Sequence, residues 1–272
     1  MSFRPLVLAS VLSLSLSLAL APDAAAAGET FVEPKELAVV EHAYVSPPRG
    51  KDDKENYTLQ LQIWGELRND SKQTVRTITA DVTFYDAAGK LIGIDSIGTA
   101  SKKDVNDPTP GDRVDAEVHF VPPGASVPFQ YRRNLAAIRG VPATHKITLR
   151  KAVVVPDGPR AVLTNASESV AVTANPNLPD NPTVARRRVF SATLENQGPA
   201  ACRAPRLVIS FFGPDGKIKD VRTFGARPEK NWELVVPKGG SVPVKGAVLV
   251  EHANAWYEKA PVKTYADCDP FG

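Results

Sequence analysis

Residues 78–91 read ITADVTFYDAAGKL, and this stretch decides the fold. Its apolar side chains alternate with polar ones, the apolar members being Ile78, Ala80, Val82 and Phe84. An alternation of period two is typical of a β-strand with one face in a core and the other in water. The run DAAG at 86–89 supplies turn residues directly after the strand. Because such strands must cover their apolar faces, the sequence predicts an all-β protein of antiparallel β-sandwich architecture.

The same pattern returns further along the chain, so the sequence contains an internal repeat. Segments match in the same order, first at an offset of 127 residues and then at 115: 67–69 with 194–196, 82–85 with 209–212, 89–91 with 216–218, and 122–129 with 237–244. The first copy therefore carries 12 extra residues between Leu91 and Pro122. Each copy has the size of an ordinary domain. We predict one sandwich over 28–155, a linker at 156–160 and a second sandwich over 161–272.

The repeated motif resembles the FxLYD domain, an immunoglobulin-like β-sandwich of exported bacterial proteins. The matching residues of the first copy are Gly65, Leu67, Asn69, Val82, Phe84, Tyr85, Asp86, Gly89, Gly124, Pro128 and Phe129. Val82 and Phe84 stand where the motif of that family has Phe and Leu, and Phe212-Gly213 replaces Tyr-Asp in the second copy. These are core and turn positions. The resemblance implies two tandem immunoglobulin-like domains that act as interaction or structural modules, without catalysis.

The N-terminal segment Met1–Ala27 is predicted to be a signal peptide. Arg4 gives a positive start, an apolar run follows over 6–20, and Ala25-Ala26-Ala27 forms a small-residue cleavage site. The run is shorter than the about 20 residues that a membrane-spanning helix needs, although an uncleaved anchor is the alternative. We therefore expect an exported chain, periplasmic or extracellular, with no transmembrane anchor in its mature form.

Charge and motifs argue against several classes of function. The 33 basic and 30 acidic residues leave a net charge of +3, which is not the surplus typical of a nucleic-acid-binding protein. The four histidines lack a His or Cys at metal-binding spacing, and the sequence contains no nucleophile elbow, Walker loop or dinucleotide fingerprint. We expect no catalytic residues, no metal and no cofactor. A hydrolase with an unrecognised pair of carboxylates is the enzymatic alternative.

Two aromatic residues form the candidate binding surface. Trp64 and Tyr85 fall on the outward-facing positions of their strands, and the counterpart of Trp64 in the second copy is Ser191. Outward-facing aromatic rings can stack on a sugar or anchor a protein partner. The alternative is that the extra stretch Lys102–Arg113 folds over them.

Arg186, Arg187 and Arg188 make the densest basic cluster of the sequence. Such a cluster is a candidate patch for an anionic partner, for example an envelope polymer or a lipid surface. The alternative is ordinary solvated charge at the start of a strand.

Cys202 and Cys268 are the two cysteines of the chain, and both lie in the second copy. An even count in an exported protein favours one disulfide between them. This bond would attach the C-terminal tail to the second sandwich.

Together these features predict an exported non-enzymatic protein. Its expected role is protein–protein interaction or scaffolding, with a protein or another component of the cell envelope as its partner. The alternative role is that of a carbohydrate-binding or cell-wall-binding module.

Overall fold

The computed structural model describes residues 29–45, 60–92, 112–134, 142–174, 184–227, 230–250 and 252–269. The predicted signal peptide Met1–Ala27 and nearly all of the Lys102–Arg113 stretch lie outside these residues. The described chain is all-β, and every strand pairing in it is antiparallel. Short 3-10 helices span Pro34–Glu36, Asn231–Glu233 and His252–Glu258.

The first repeat contributes strands β1 to β11. Their bounds are β1 Phe31–Val32, β2 Leu37–Val45, β3 Gln60–Asn69, β4 Val75–Arg76, β5 Thr79–Tyr85, β6 Leu91–Ile92, β7 Asp112–Asp115, β8 Phe120–Val121, β9 Ser126–Asn134, β10 Thr144–Leu149 and β11 Ala152–Val154. One sheet has the order β2-β3-β9, a second has the order β10-β5-β6, and β7 also pairs with β5. A small sheet, β1-β11-β4-β8, closes one end.

The second repeat contributes strands β12 to β19. Their bounds are β12 Ala161–Ala174, β13 Val184–Asn196, β14 Cys202–Arg203, β15 Arg206–Phe212, β16 Ile218–Gly225, β17 Val235–Val236, β18 Ser241–Leu249 and β19 Val262–Asp267. The sheets have the orders β12-β13-β18, β16-β15-β19 and β14-β17. The arrangement is sandwich-like, as the alternating pattern of the sequence predicts.

The core of the first repeat shows why the alternation matters. Ile63 and Leu67 on β3 are fully buried and lie on the same face as Gly65 between them. A β-carbon at Gly65 would lie only 2.6 Å from the ring of Phe129, which is itself fully buried on the neighbouring strand. Glycine at this position therefore makes room for the ring, and burial of such a side chain contributes about 1.5–3 kcal/mol.

Equivalent hydrogen bonds occur at two matched positions of the repeated sequence. Asn69 donates from Nδ2 to two backbone carbonyls at 2.7 and 2.9 Å, and Asn196 does the same at 2.8 and 3.1 Å. The accepting carbonyls are those of Gln73 and Val121 in the first repeat and of Ala200 and Val236 in the second. Both asparagines are fully buried, so each secures the end of its strand to a loop and to a neighbouring strand.

The repeats differ where the first copy has its extra residues. In the second repeat, β16 runs continuously along β15 from Ile218 to Gly225. In the first repeat, two strands occupy the same place beside β5, namely β6 at one end and β7 at the other. One strand of the second repeat, β16, thus corresponds to two strands of the first, β6 and β7. No helix in the described part of the chain is long and apolar enough to cross a membrane.

The junction between the repeats and the exposed surfaces

The sheet β16-β15-β19 buries apolar residues on both of its faces. On one face, Leu207, Ile209 and Phe211 belong to the hydrophobic core of the second repeat. The opposite face contributes to the hydrophobic cluster of the first repeat, through Val208, Ile218 and Val221. At most 1% of each of these six residues is exposed. The two repeats are therefore packed against each other through this sheet.

Trp64 lies in this junction. It points away from Ile63 and Leu67 and belongs to the same hydrophobic cluster as the apolar outer face of the sheet β16-β15-β19. Only 4% of Trp64 is exposed. The expectation that the Trp64 ring is free to bind a partner is therefore corrected, because the second repeat contributes to the hydrophobic cluster around this ring. Nearly all of the Lys102–Arg113 stretch, the predicted alternative cover, lies outside the described residues.

Polar contacts surround the apolar centre of the junction. Glu66, which is 7% exposed, accepts hydrogen bonds from Lys263 Nζ at 3.1 Å and from Tyr265 OH at 3.3 Å. Burial, together with the neighbouring carboxylate of Glu66, raises the pKa of Tyr265. Thr223 Oγ1 donates to Glu117 Oε2 at 3.3 Å, and burial raises the pKa of Glu117. Polar groups of both repeats thus satisfy one another.

A second polar link joins His119 of the first repeat to Asp267 of the second. The backbone N–H of His119 donates to Asp267 Oδ1 at 2.7 Å, and His119 Nδ1 lies 3.0 Å from Oδ2. Arg206 Nε donates to the same Oδ2 at 3.0 Å, and its Nη2 contacts His119 Nδ1. The carboxylate of Asp267 is fully buried. Removing a partner from such a buried ion pair typically costs about 3–5 kcal/mol.

The disulfide lies directly beside this link. Cys202 and Cys268 are bonded, are separated by 66 residues, and have α-carbons 5.2 Å apart. Both cysteines are buried. The structure therefore contains the predicted disulfide, and it joins the end of β19 to β14.

A cavity of about 500 Å³ opens next to Asp267, between the two repeats. Its walls include Phe120, Pro159 and Gly198, and the segment that connects the repeats forms one side. The Asp267 carboxylate already accepts hydrogen bonds from His119 and Arg206. Its charge is therefore used to join the repeats.

The three consecutive arginines do not form one surface. Arg188 is 6% exposed, and it donates to Glu168 Oε1 at 2.5 Å and Oε2 at 2.8 Å. Its Nη1 also donates to the backbone carbonyls of Tyr257 and Ala260, both at 2.6 Å. Arg186 pairs with Glu258, whereas Arg187 is exposed. Alternation along β13 places Arg187 on the opposite face from Arg186 and Arg188, and Arg188 secures the end of the last 3-10 helix and the turn after it.

The last 3-10 helix carries a buried phenol. Tyr257 donates to Asp220 Oδ2, and Arg222 Nε donates to the same oxygen at 2.6 Å. Burial and the hydrogen bond to Asp220 raise the pKa of Tyr257 to about 12. Phe211 packs edge-on against its ring, with centroids 4.7 Å apart. The group therefore belongs to the core of the second repeat.

Among the described residues, six large apolar side chains of the second repeat and two of the first are exposed. They are Trp232 at 66%, Val172 at 61%, Val170 at 44%, Val235 at 42%, Leu249 at 40% and Trp256 at 39%, with Phe31 at 45% and Leu91 at 40% on the first repeat. Tyr85 is half-buried at the end of β5. Of the two predicted surface aromatics, Trp64 is thus buried and Tyr85 is half-buried, whereas Trp232 is mostly exposed.

Trp232 is the most exposed large apolar residue of the described chain, and sequence reasoning missed it. It lies on a loop that is longer in the second repeat. Ala116 and Ala226 occupy equivalent places, because each donates its N–H to the residue before β5 or β15. From there the chain takes 5 residues to reach Val121 in the first repeat but 10 to reach Val236 in the second. A tryptophan within an insertion is the sequence signal that could have found this surface.

No protein-family model matches the chain, and no curated protein matches it. Among the described residues there is also no group of three or more His, Cys, Asp or Glu side chains that could hold a metal ion.

Proposed function

We propose that the chain is an exported, non-enzymatic binding protein built from two immunoglobulin-like sandwiches. The first would span 28–155 and the second 161–272, joined by a linker at 156–160. The sandwich-like sheets, the matched hydrogen bonds of Asn69 and Asn196, and the disulfide support this proposal. The disulfide is a bond typical of oxidising compartments outside the cytoplasm.

Its partner is a protein of the cell envelope, and Trp232 is the anchor. The observation that carries this proposal is the 66% exposure of Trp232. Tryptophan is enriched among the residues that dominate binding energy at protein interfaces. Val235, also exposed, lies three residues further on, and Lys230 Nζ is 3.8 Å from Glu233 Oε1 on the same loop. Apolar groups with charged neighbours have the composition of an interface centre and its rim.

The buried charged groups support a binding role over a hydrolytic one. Glu66, Asp267 and His119 are titratable groups away from bulk solvent, and all three join one repeat to the other. Asp220 is held by Tyr257 and Arg222 in the same manner.

Carbohydrate binding is the second candidate function, and the same exposed ring of Trp232 favours it. An aromatic face in solvent can stack on the apolar face of a sugar. The predicted platform of Trp64 and Tyr85 does not supply such a surface, because Trp64 is buried in the junction.

The test compares wild-type protein with Trp232→Ala and with a matched control, Phe31→Ala. Phe31 is a 45% exposed aromatic residue on the first repeat. Envelope extracts are passed over each immobilised protein, and the captured protein is then purified and its affinity measured. We expect Trp232→Ala to weaken binding about 30-fold, which corresponds to about 2 kcal/mol, while Phe31→Ala binds as the wild type does.

Equal affinity of Trp232→Ala and wild type would refute the anchor. A parallel screen against insoluble and soluble polysaccharides separates the two candidate functions. Binding to a glycan that is lost in Trp232→Ala, without capture of any protein, would replace the protein partner by a carbohydrate.

A further inference from the structure

The strand β12 forms an open edge of its sheet. The sheet order is β12-β13-β18, and within the described residues β12 pairs only with β13. The strand is 14 residues long, and residues 165–170 along it are exposed. Along an edge, every second residue directs its backbone N–H and C=O away from the sheet. Such a row of donors and acceptors is a template for another strand.

The second half of β12 lacks the features that usually protect an edge. Natural edge strands carry lysines, prolines, bulges or inward charges that block pairing with another chain. The segment 167–174 reads SESVAVTA, and its one charge, Glu168, is already paired with Arg188. A bulge does occur, but it lies between Thr164 and Ser167, so 167–174 pairs with β13 without a register shift. This leaves a straight segment of roughly 26 Å.

Two valines mark this segment as unusual. Val170 is 44% exposed and Val172 is 61% exposed, and both point to the same face of the sheet because they are two residues apart. Valine favours strands because its branched side chain packs against a neighbour across the sheet. In the described structure neither valine has such a neighbour on the open side of β12.

We infer that the occupant of this edge is a second copy of the same chain. The two β12 strands would pair antiparallel about a two-fold axis at Ala171. Each Val170 would then lie opposite Val172 of the other copy, and the exposed valines of both copies would form two cross-strand pairs on one face. Glu168 would lie opposite the uncharged Ala174. The sheet would become six-stranded, in the order β18-β13-β12-β12-β13-β18.

The distribution of charge and the pairing of the exposed valines together favour this register. An axis at Glu168 would place two carboxylates directly opposite each other, which is destabilising. An axis at Val170 would place each Val172 opposite Glu168. An axis at Ala171 avoids both arrangements. A two-fold axis also closes the assembly at two copies, because the single free β12 edge of each chain is then used.

The first test measures the oligomeric state of the protein, purified after expression of the full chain, by sedimentation. The wild type is compared with two double variants at the exposed valines. In Val170→Lys/Val172→Lys, each lysine faces a lysine of the other copy. In Val170→Lys/Val172→Glu, each lysine faces a glutamate. We expect a wild-type dimer, a dimer dissociation constant raised about 10-fold to 100-fold by the lysine pair, and a dimer retained by the lysine–glutamate pair.

A monomeric wild type at the highest soluble concentration would overturn the inference. So would equal weakening by the two double variants, because only the lysine pair places like charges opposite each other between the two copies. Thermal melting of each variant checks that it is folded, and both substituted positions are solvent-exposed in the monomer.

A second measurement does not depend on charge. In the proposed pair, Ala171 lies directly opposite itself, whereas Ser167 of one copy would lie roughly 26 Å from Ser167 of the other. Under oxidising conditions, Ala171→Cys should therefore form a covalent dimer and Ser167→Cys should not. Efficient cross-linking of Ser167→Cys, or none at Ala171→Cys, would refute the register.

Discussion

Replacing Trp64 by alanine tests whether the two repeats are held together as the structure shows. The indole is 4% exposed and lies in the hydrophobic cluster that also contains Val208 and Val221 of the second repeat. Removing a buried tryptophan side chain costs about 3–5 kcal/mol, because the burial is lost and a cavity is left. In a chain of this size, 1 kcal/mol lowers the melting temperature by about 2–4 °C. We therefore expect Trp64→Ala to melt about 6–20 °C below the wild type.

The repeat itself provides the control for this experiment. Ser191 occupies the position of Trp64 in the second repeat and is half-buried on β13. Ser191→Ala should change stability by no more than about 0.5 kcal/mol. Urea unfolding and thermal melting of both variants give the comparison.

Fluorescence adds a second readout. The other tryptophans are exposed, Trp232 at 66% and Trp256 at 39%. Loss of the buried Trp64 should therefore move the emission maximum of the folded protein to longer wavelength. If Trp64→Ala melts within about 3 °C of Ser191→Ala and its emission is unchanged, the packing of the repeats through Trp64 is refuted.

Two further predictions concern the second repeat. The double variant Cys202→Ala/Cys268→Ala should have a free energy of unfolding about 4 kcal/mol below that of the wild type, since the disulfide closes a 66-residue loop. An unchanged urea midpoint would contradict this. The pKa of Tyr257 is raised to about 12 in the folded protein, against about 10 in the unfolded chain. The neutral phenol therefore stabilises the folded state below about pH 10. This contribution disappears as the pH rises towards about 12. Stability should fall over that interval, less steeply in Tyr257→Phe; identical pH profiles of variant and wild type would refute the assignment.

The alternating patterns predicted the strands well because each repeat has its own core. Ile78, Ala80, Val82 and Phe84 are all buried, as their period of two indicates. The placement of Trp64 required more than this pattern. Alternation shows that its ring leaves the core of its own repeat, but the covering surface comes from residues more than 140 positions away. Local periodicity carries no information on how two repeats pack.

The arginine cluster illustrates the opposite case, because the sequence itself indicates that Arg188 is buried. Arg188 shares its alternation phase with Phe190 and Leu194, both of which are buried. A charged residue on the core side of a strand predicts a buried ion pair, and Glu168 fulfils that role. Trp232 could likewise have been found by comparing the loop lengths of the two copies.

Differences between the repeats follow from the way they pack. The outer face of β3 carries Trp64, whereas the equivalent position on β13 is Ser191. The outer face of β15 carries Val208, whereas the equivalent position on β5 is Asp81, which pairs with Arg150. Each apolar member of these two pairs lies in the junction, and each polar member lies outside it.

The repeats therefore use different faces to meet, the β3 face of the first and the β15 face of the second. A β3 face that packs on a β15 face could join one repeat after another, because each added repeat would still leave one β3 face and one β15 face uncovered. Here the two remaining faces bear Asp81 and Ser191 instead of Val and Trp. A third repeat or a second chain would have to bury the ion pair of Asp81 with Arg150 without the apolar surface that offsets its desolvation. The substitutions at these positions thus limit face-to-face packing to two repeats, and they leave the edge of β12 as the surface through which two chains would associate.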